Sequence, residues 1–469
     1  MQEEELSYFE SLHAAGTAPG LRVRRCDKGK GLFAERAFNE GDVVLREQPL
    51  AAIQHERNAR HALACAHCFR YLVSVEHQIA RRLLRRAAAP GVGGSEQDDS
   101  FAQDGEALAP ASDEDDDDAL PPVDAAKLEL QALLEGHKQL PLSADRFQLP
   151  QPRPCPGGCD AQYCSAACSQ HAWDAYHCLL CPGPDGLAAD KTQLRSHQAH
   201  ARRSNDIFLL AAKVVATVVL RAQSALGGLH AATSATGAQR FEALLEAWKP
   251  CRAAHRQPWH ACVAIPPDVP ASGSAAFRDS LRRLADSSRR RLASALSVHA
   301  QLFPAMFHLD VFEHLIGMFE LNNLDVVVES PVEQYFLAID DLADDNEQAS
   351  AVKSAAMEVT QPLLDALDVG YATCLDGTGF FPFVACVNHS CDPSLASMKG
   401  EADVDGAAVL VATRAISAGE ELFVSYIDAH RGTTAAQRRQ ELKDYGFICD
   451  CARCKKEDAQ PQRRQSKMK

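Results

Sequence analysis

The chain has no long hydrophobic run, no excess of positive charge and no internal repeat, and each absence removes a class of function. Its longest apolar stretch, 207–220, is too short to cross a bilayer and is interrupted by Lys213. It reads as a buried helix, with Asn205 and Asp206 ahead of it as N-cap candidates. The opening residues, MQEEELSYFE, are acidic and lack the basic-then-apolar order of a secretory signal. A formal net charge of −15 argues against wrapping DNA over the whole surface and suits a basic protein partner instead. Hydrophobic residues at 46% and charged residues at 24% are the proportions of an ordinary globular protein.

Cysteine, by contrast, is abundant: there are 17. Without a secretory signal the expected compartment is reducing, so disulfides explain them poorly and metal explains them well. Cys65 and Cys68 are two residues apart. Cys155, Cys159, Cys164, Cys168, His177 and Cys181 follow as a second block. Tetrahedral zinc needs four N or S donors about 2.0 to 2.3 Å from the ion. Cys-x3-Cys and His-x3-Cys pairs put two of them on one helix face. Eight such ligands imply two zinc ions. Cys178, beside His177, reads as a buried thiol. A third cluster, Cys449, Cys451 and Cys454, is one ligand short of a tetrahedron, and Cys391 is its natural fourth member.

Along the chain, 21–53 reads as strands and turns around Gly29, Gly31 and Gly41. The stretch 90–123, with its acidic run 113–118, has too little apolar surface to offset ordering. It is expected to be a solvated spacer, with a lure for basic substrates as the functional alternative. Arg81, Arg82, Arg85 and Arg86 are spaced along one helix face and are expected to be solvated. A helical region is expected over 191–319, with an Ala-rich linker at 227–237 and a Pro-rich break at 258–270. Strands are expected at 324–328 and 335–339, and extended chain at 380–387, 407–413 and 421–426. The basic end, 460–469, is expected to be loose.

Four further motifs are weak singly. They are Lys28-Gly29-Lys30-Gly31, Asn388-His389-Ser390-Cys391, the run from Gly419 to Tyr426, and Asp444-Tyr445-Gly446-Phe447. In this order, and with the cysteine clusters, they resemble the split SET domain of the SMYD type. The overall plan is similar to plant trithorax-related SET proteins that carry a MYND finger. The resemblance implies an α+β chain: a β-rich SET fold split by a MYND zinc finger and a helical insert, with a post-SET zinc cluster. The implied parts are an N-terminal SET portion at 20–58, a finger at 59–185 containing the acidic insertion at about 90–124, and a helical insert at 186–319. The SET core at 320–430, a post-SET segment at 431–457 and a basic tail at 458–469 complete the plan.

By the same resemblance, Cys65, Cys68, Cys164 and Cys168 hold one zinc, and Cys155, Cys159, His177 and Cys181 a second. Cys391, Cys449, Cys451 and Cys454 hold a third. The implied cofactor is S-adenosylmethionine and the implied activity is methyl transfer to a protein lysine. That in-line displacement needs alignment and a neutral amine. A free lysine has a pKa of about 10.4, so an apolar aromatic channel must favour its neutral form. The resemblance gives Tyr426 and Tyr445 catalytic places, with the Tyr426 hydroxyl aimed at the methyl. It gives Asn388 and His389 the adenine end, Lys28, Gly29, Lys30 and Gly31 the amino-acid end, and Asn322, Tyr426 and Phe447 further cofactor contacts. The implied substrate is a histone tail, most of all histone H3, and the implied compartment is the nucleus, with the cytoplasm as a second. The finger is the implied contact for transcription factors. No membrane and no direct DNA contact is expected. An idle SET–MYND adaptor and a methyltransferase for a non-histone protein are the competing readings.

Overall fold

The computed structural model describes residues 6–88, 125–142, 146–184, 191–252, 254–400, 402–429 and 432–459. The acidic insertion and the basic end lie outside the described residues. Strand β1 (Leu21–Cys26) pairs antiparallel with β2 (Gly29–Ala34), from Leu21 opposite Ala34 to Cys26 opposite Gly29. Leu21 and Val23 point into the core while Arg22 and Arg24 face out, the period of two that a half-buried strand requires. β3 (Val43–Glu47) and β4 (Ala51–Gln54) follow. The finger holds a two-residue ribbon, β5 (Arg153–Pro154) and β6 (Gln162–Tyr163). Later strands return to the first ones. β7 (Asn323–Asp325) and β4 flank β8 (Gly377–Phe380). β9 (Asn388–His389), β10 (Leu395–Ser397), β11 (Ala408–Ala412) and β12 (Phe423–Val424) complete the set. β11 lies between β10 and β3, and β9 runs parallel to β12. The β-rich body is thus assembled from both ends of the chain, with the finger and the helices between.

The apolar centres do not follow the parts one to one. The SET strands enclose Leu21, Leu32, Phe38, Leu45, Phe381 and Leu422. The finger and the helical insert share a second core around the helix Ile207–Ala225. That helix runs on past the apolar stretch, to 19 residues. It is long and apolar enough to cross a membrane, yet most of it is buried inside the protein. Lys213 is tolerated because its ammonium donates to the Ala52 carbonyl at 2.7 Å and lies over the Tyr176 ring at 4.9 Å. Asn205 accepts from the Ile207 amide as expected of a cap, whereas Asp206 is turned to His55, 2.8 Å away.

Several sequence expectations need correction. The stretch 335–339 is not a strand. It lies in the helix Pro331–Asp340, where Ser330 accepts from the Glu333 amide and Pro331 opens the first turn. Extended chain ends at Phe380, and Val384–Cys386 forms a 3₁₀ turn capped by the Glu47 carboxylate. The linker at 227–237 contains a helix, Leu229–Ser234. Arg82 is not solvated: it is buried in the helix Val75–Ala88, donating to the carbonyls of Gly370, Tyr371 and Thr373 and to the Ser330 hydroxyl. One arginine thereby satisfies four acceptors and fixes the base of the helical pair Pro331–Asp340 and Glu347–Leu367, next to where it joins the sheet.

Candidate functional site

A cavity of about 880 Å³ opens where the N-terminal SET strands, the helical insert and the post-SET segment meet. Its lining includes Lys28, Gly29, Lys30, Asn322, Asn388, His389, Tyr426, Tyr445 and Phe447. The structure therefore brings together motifs that are hundreds of residues apart. Gly31 lies one residue beyond the lining, and its role is close approach: a side chain there would meet the Glu421 carboxylate at 2.6 Å. Gly29 holds φ at +98°, a conformation that favours glycine, and so turns β1 into β2.

Asn388 clamps this turn. Its amide donates to the Lys30 carbonyl at 2.6 Å and to Glu421 at 2.8 Å. Lys28 is held with its ammonium 4.2 Å above the Phe423 ring. His389 accepts the Tyr426 backbone N–H at Nδ1, 3.0 Å away, and presents Nε2 to Cys391 Sγ at 3.3 Å. Burial, with the positive charges of Lys28 and Arg438 adding to it, holds His389 down at about 4, so the ring is neutral. The accepting Nδ1 leaves Nε2 as the protonated nitrogen.

Tyr426 and Phe447 flank His389, and Tyr445 packs against Tyr426. The Tyr426 ring centroid is 5.4 Å from His389 and 5.1 Å from Tyr445. Phe447 is 5.9 Å from His389. The Tyr426 hydroxyl donates to the Val387 carbonyl at 2.7 Å. Burial, and then the adjoining Tyr445, push that phenol above its ordinary pKa, so it stays protonated and serves as a donor. Asn322 donates to the carbonyls of His255 and Met318, both at 2.7 Å. The next residue, Asn323, is turned away to Thr378.

The cysteines gather in three sets whose donor atoms lie within 4.8 Å of one another. They are Cys65, Cys68, Cys164 and Cys168; Cys155, Cys159, His177 and Cys181; and Cys391, Cys449, Cys451 and Cys454. A sulfur tetrahedron around zinc has edges of about 3.8 Å. Cys68–Cys164, Cys164–Cys168 and Cys155–Cys181 measure 3.5, 3.4 and 3.7 Å. Cys391 lies 3.7 Å from both Cys449 and Cys454. His177 Nε2 is 3.2 Å from Cys155 Sγ and 3.3 Å from Cys159 Sγ, the shorter edge that a nitrogen gives. All these thiols are free. Burial pushes Cys159, Cys391 and Cys449 up, whereas the hydrogen bond from Cys68 brings Cys65 down; four donors this close, once ionised, call for a cation between them. Each set is thus able to hold a zinc ion. Cys178 stays outside them.

Some residues of the site had no sequence signal. Arg438, fully buried, donates to Cys454 Sγ at 3.3 Å and to Glu457 at 2.9 Å. It is a built-in counter-charge for the third set. The segment Ala254–Gln257 forms a cavity wall from within the helical insert, bringing His255, Arg256 and Gln257. Arg25 adds another cation to the rim. Glu421 stands in a motif already singled out, but only the structure shows it against Gly31, Asn388 and Cys26.

This fold and cavity define a SET-type transferase site backed by three cysteine sets able to hold zinc. A SET-domain family model matches residues 29–427. The chain is 38% identical to histone-lysine N-methyltransferase ATXR2 of Arabidopsis thaliana, over 95% of this chain and 92% of that protein. It is 26% identical to the human protein-lysine N-trimethyltransferase SMYD5, over 92% and 85%. A shorter stretch, 18% of this chain and 18% of that protein, is 40% identical to the mouse histone-lysine N-methyltransferase SMYD3. The chain belongs to the SET-domain family, in its form with an inserted MYND finger.

Proposed function

We propose that this chain is an S-adenosylmethionine-dependent protein-lysine N-methyltransferase whose substrate is a histone tail, with histone H3 first among them. The observation that carries the reading is the convergence of Tyr426, Tyr445 and Phe447 around the Asn388–His389 strand, at a cavity closed on its other side by the Lys28–Gly31 turn. Lys28 and Lys30 supply positive charge for the carboxylate of the cofactor. Asn388 and His389 form the adenine wall, and Asn322 retains an acceptor oxygen for the amino-acid end. The cofactor supplies the electrophilic methyl group. The chain's part is to exclude water, to keep the lysine amine neutral among aromatic rings, and to orient it with the Tyr426 hydroxyl and backbone. Tyr445 completes the channel.

The twelve Cys and His ligands named above hold three zinc ions, two in the finger and one beneath the post-SET segment. The finger is the contact for transcription factors. A nuclear location follows from a chromatin substrate. The test is transfer of labelled methyl from S-adenosylmethionine to a panel of core histones and to cell extract. Label on H3 that disappears with Asn388→Ala supports the reading. Label only on non-histone protein moves the substrate class, and failure to bind the cofactor in calorimetry returns the chain to an adaptor role.

A further inference from the structure

The helical pair Pro331–Asp340 and Glu347–Leu367 is an insertion in the SET fold, and the cavity does not use it. The chain leaves the sheet at Val328 and rejoins it at Leu375, and these two residues pair with each other. The pair therefore hangs from the β7–β8 end of the sheet, whereas the opposite end of β8 leads to Asn388. Residues 329–374 contribute nothing to the cavity lining.

Between the two helices lies a second groove of about 540 Å³. Its floor is apolar, with Phe336, Ile339, Met357 and Leu364, and Tyr371 meets Phe336 edge-on at 6.3 Å. Two apolar side chains on its rim face solvent, Leu337 at 53% exposed and Val369 at 80%. Asp340, Asp365 and Asp368 stand among them. Residues 331–368 carry nine Asp and Glu side chains against one lysine, Lys353. That lysine is turned to the Asp340 carbonyl and to Asp344. Among the described residues no cation pairs with the Asp340 or Asp365 carboxylate, and Asp368 meets only an exposed Arg86 at 3.7 Å.

An apolar floor ringed by carboxylates, two of them without a paired cation among the described residues, has one complementary occupant: an extended or helical segment rich in lysine and arginine that also carries apolar side chains. We infer that this groove docks such a basic segment of the protein substrate, outside the channel that takes the target lysine. The inference rests on the reading of the chain as a protein-lysine methyltransferase, and it deepens that reading by giving substrate selection to a surface separate from the chemistry. Substrates with a basic flank gain local concentration at the enzyme through the groove.

The probe is a fluorescein-labelled peptide with the lysine- and arginine-rich sequence of the histone H3 tail, titrated with the full zinc-loaded chain. Two variants are compared with the wild type: Asp340→Asn/Asp365→Asn/Asp368→Asn, and Leu337→Ser/Val369→Ser. All five positions are exposed, so both variants should fold, and an unchanged S-adenosylmethionine affinity checks this. The charge variant should weaken peptide binding about five-fold at low salt and less at high salt, as three partly screened ion pairs require. The apolar variant should weaken it at both. In methyl transfer the KM for the peptide should rise with kcat unchanged. Peptide affinity equal in all three proteins overturns the proposal. So does a dimer, seen by sedimentation in the wild type alone, because the occupant is then a second copy. Peptide binding that depends on the groove while no protein is methylated sustains the docking surface and removes the proposed activity.

Discussion

Glu47→Gln should change how stability depends on pH, and the structure sets both sign and size. Glu47 ends β3 at only 9% exposure. Its carboxylate accepts from the Phe383 amide at 2.9 and 3.1 Å and from the Val384 amide at 3.0 Å. Burial nevertheless outweighs these two donors and raises its pKa from 4.5 to about 7. An acid with a raised pKa contributes its stability below the unfolded value, where it is neutral in both states. That contribution is lost as pH climbs to the folded value. Here the window is 4.5 to about 7. At 1.36 kcal/mol per pKa unit, the loss across it is about 3 kcal/mol. Tyr8 and Cys386, the titratable groups whose charge couples to Glu47, are both pushed up by burial, Cys386 to about 12. Neither titrates in this window.

Urea unfolding of wild type and Glu47→Gln, in steps from pH 5 to pH 8, reads the effect. Zinc release at low pH affects both proteins alike and cancels in the difference. The wild type should lose about 2 to 3 kcal/mol against the variant between these limits. Parallel curves would refute the reasoning. Function should follow, because the capped turn Val384–Cys386 leads straight into Asn388. Glu47→Ala leaves two buried N–H groups unpaired, at about 1 to 3 kcal/mol each. It should weaken S-adenosylmethionine binding more than Glu47→Gln does.

Tyr426→Phe keeps the ring and removes the 2.7 Å bond to Val387, so stability should fall by about 1 kcal/mol. The methylation rate should fall more than ten-fold with cofactor affinity nearly unchanged; equal rates would remove the hydroxyl from the mechanism. Gly317→Ala would put a methyl 2.0 Å from the Gln257 carbonyl oxygen, a backbone atom of the cavity wall. It should cost about 1 to 3 kcal/mol and loosen cofactor binding, whereas Gly370→Ala, with nothing within 4 Å, should be silent. Elemental analysis should find three zinc ions per chain, and a chelator should unfold the finger and the post-SET segment. Cys451→Ser should impair transfer more than Cys65→Ser, because Cys449 and Asp450 line the cavity.

Local spacing was legible in the sequence where chemistry imposes it. A tetrahedral ion demands pairs of donors a few residues apart, and Cys65/Cys68, Cys164/Cys168 and Cys451/Cys454 show them. Which pair joins which is a matter of chain path, and spacing alone leaves it open; there the family resemblance carried the assignment. The helix Pro331–Asp340 shows how patterning misleads. Tyr335, Leu337 and Ile339 alternate as in a strand, yet the buried residues are Val332, Tyr335, Phe336 and Ile339, the helical set. The Ser330-Pro331 start decides between the two periods, and Leu337 is left exposed as the cost of that choice. Arg82 reads as solvated for a different reason. Its partners are backbone carbonyls at 370–373, and no local pattern marks a carbonyl that lacks a donor. The wall at Ala254–Gln257 is irregular chain shaped by a distant glycine and a distant asparagine, so it left no periodic trace.

The brevity of Asn388-His389-Ser390-Cys391 has a physical explanation in these contacts. Asn388 ties the strand to the Lys28–Gly31 turn and to Glu421, which fixes that wall of the cavity. His389 receives the Tyr426 amide and so sets the height of the tyrosine ring, while its other nitrogen faces the sulfur of Cys391. Ser390 anchors its own amide on Val424 and closes a turn with Asp392 through its hydroxyl. Cys391 then carries the strand into the third cysteine set, against which Tyr426 and Tyr445 pack. Four consecutive residues thus connect the Lys28–Gly31 turn, the aromatic rings of Tyr426 and Phe447 and the third cysteine set. Each connection needs a different donor or acceptor, so a substitution at any one position breaks a different link. A change at Asn388 should reach cofactor affinity first, and a change at Cys391 should reach the order of Tyr445 and Phe447 first. Fluorescence quenching by cofactor and hydrogen exchange across 442–458 would separate the two.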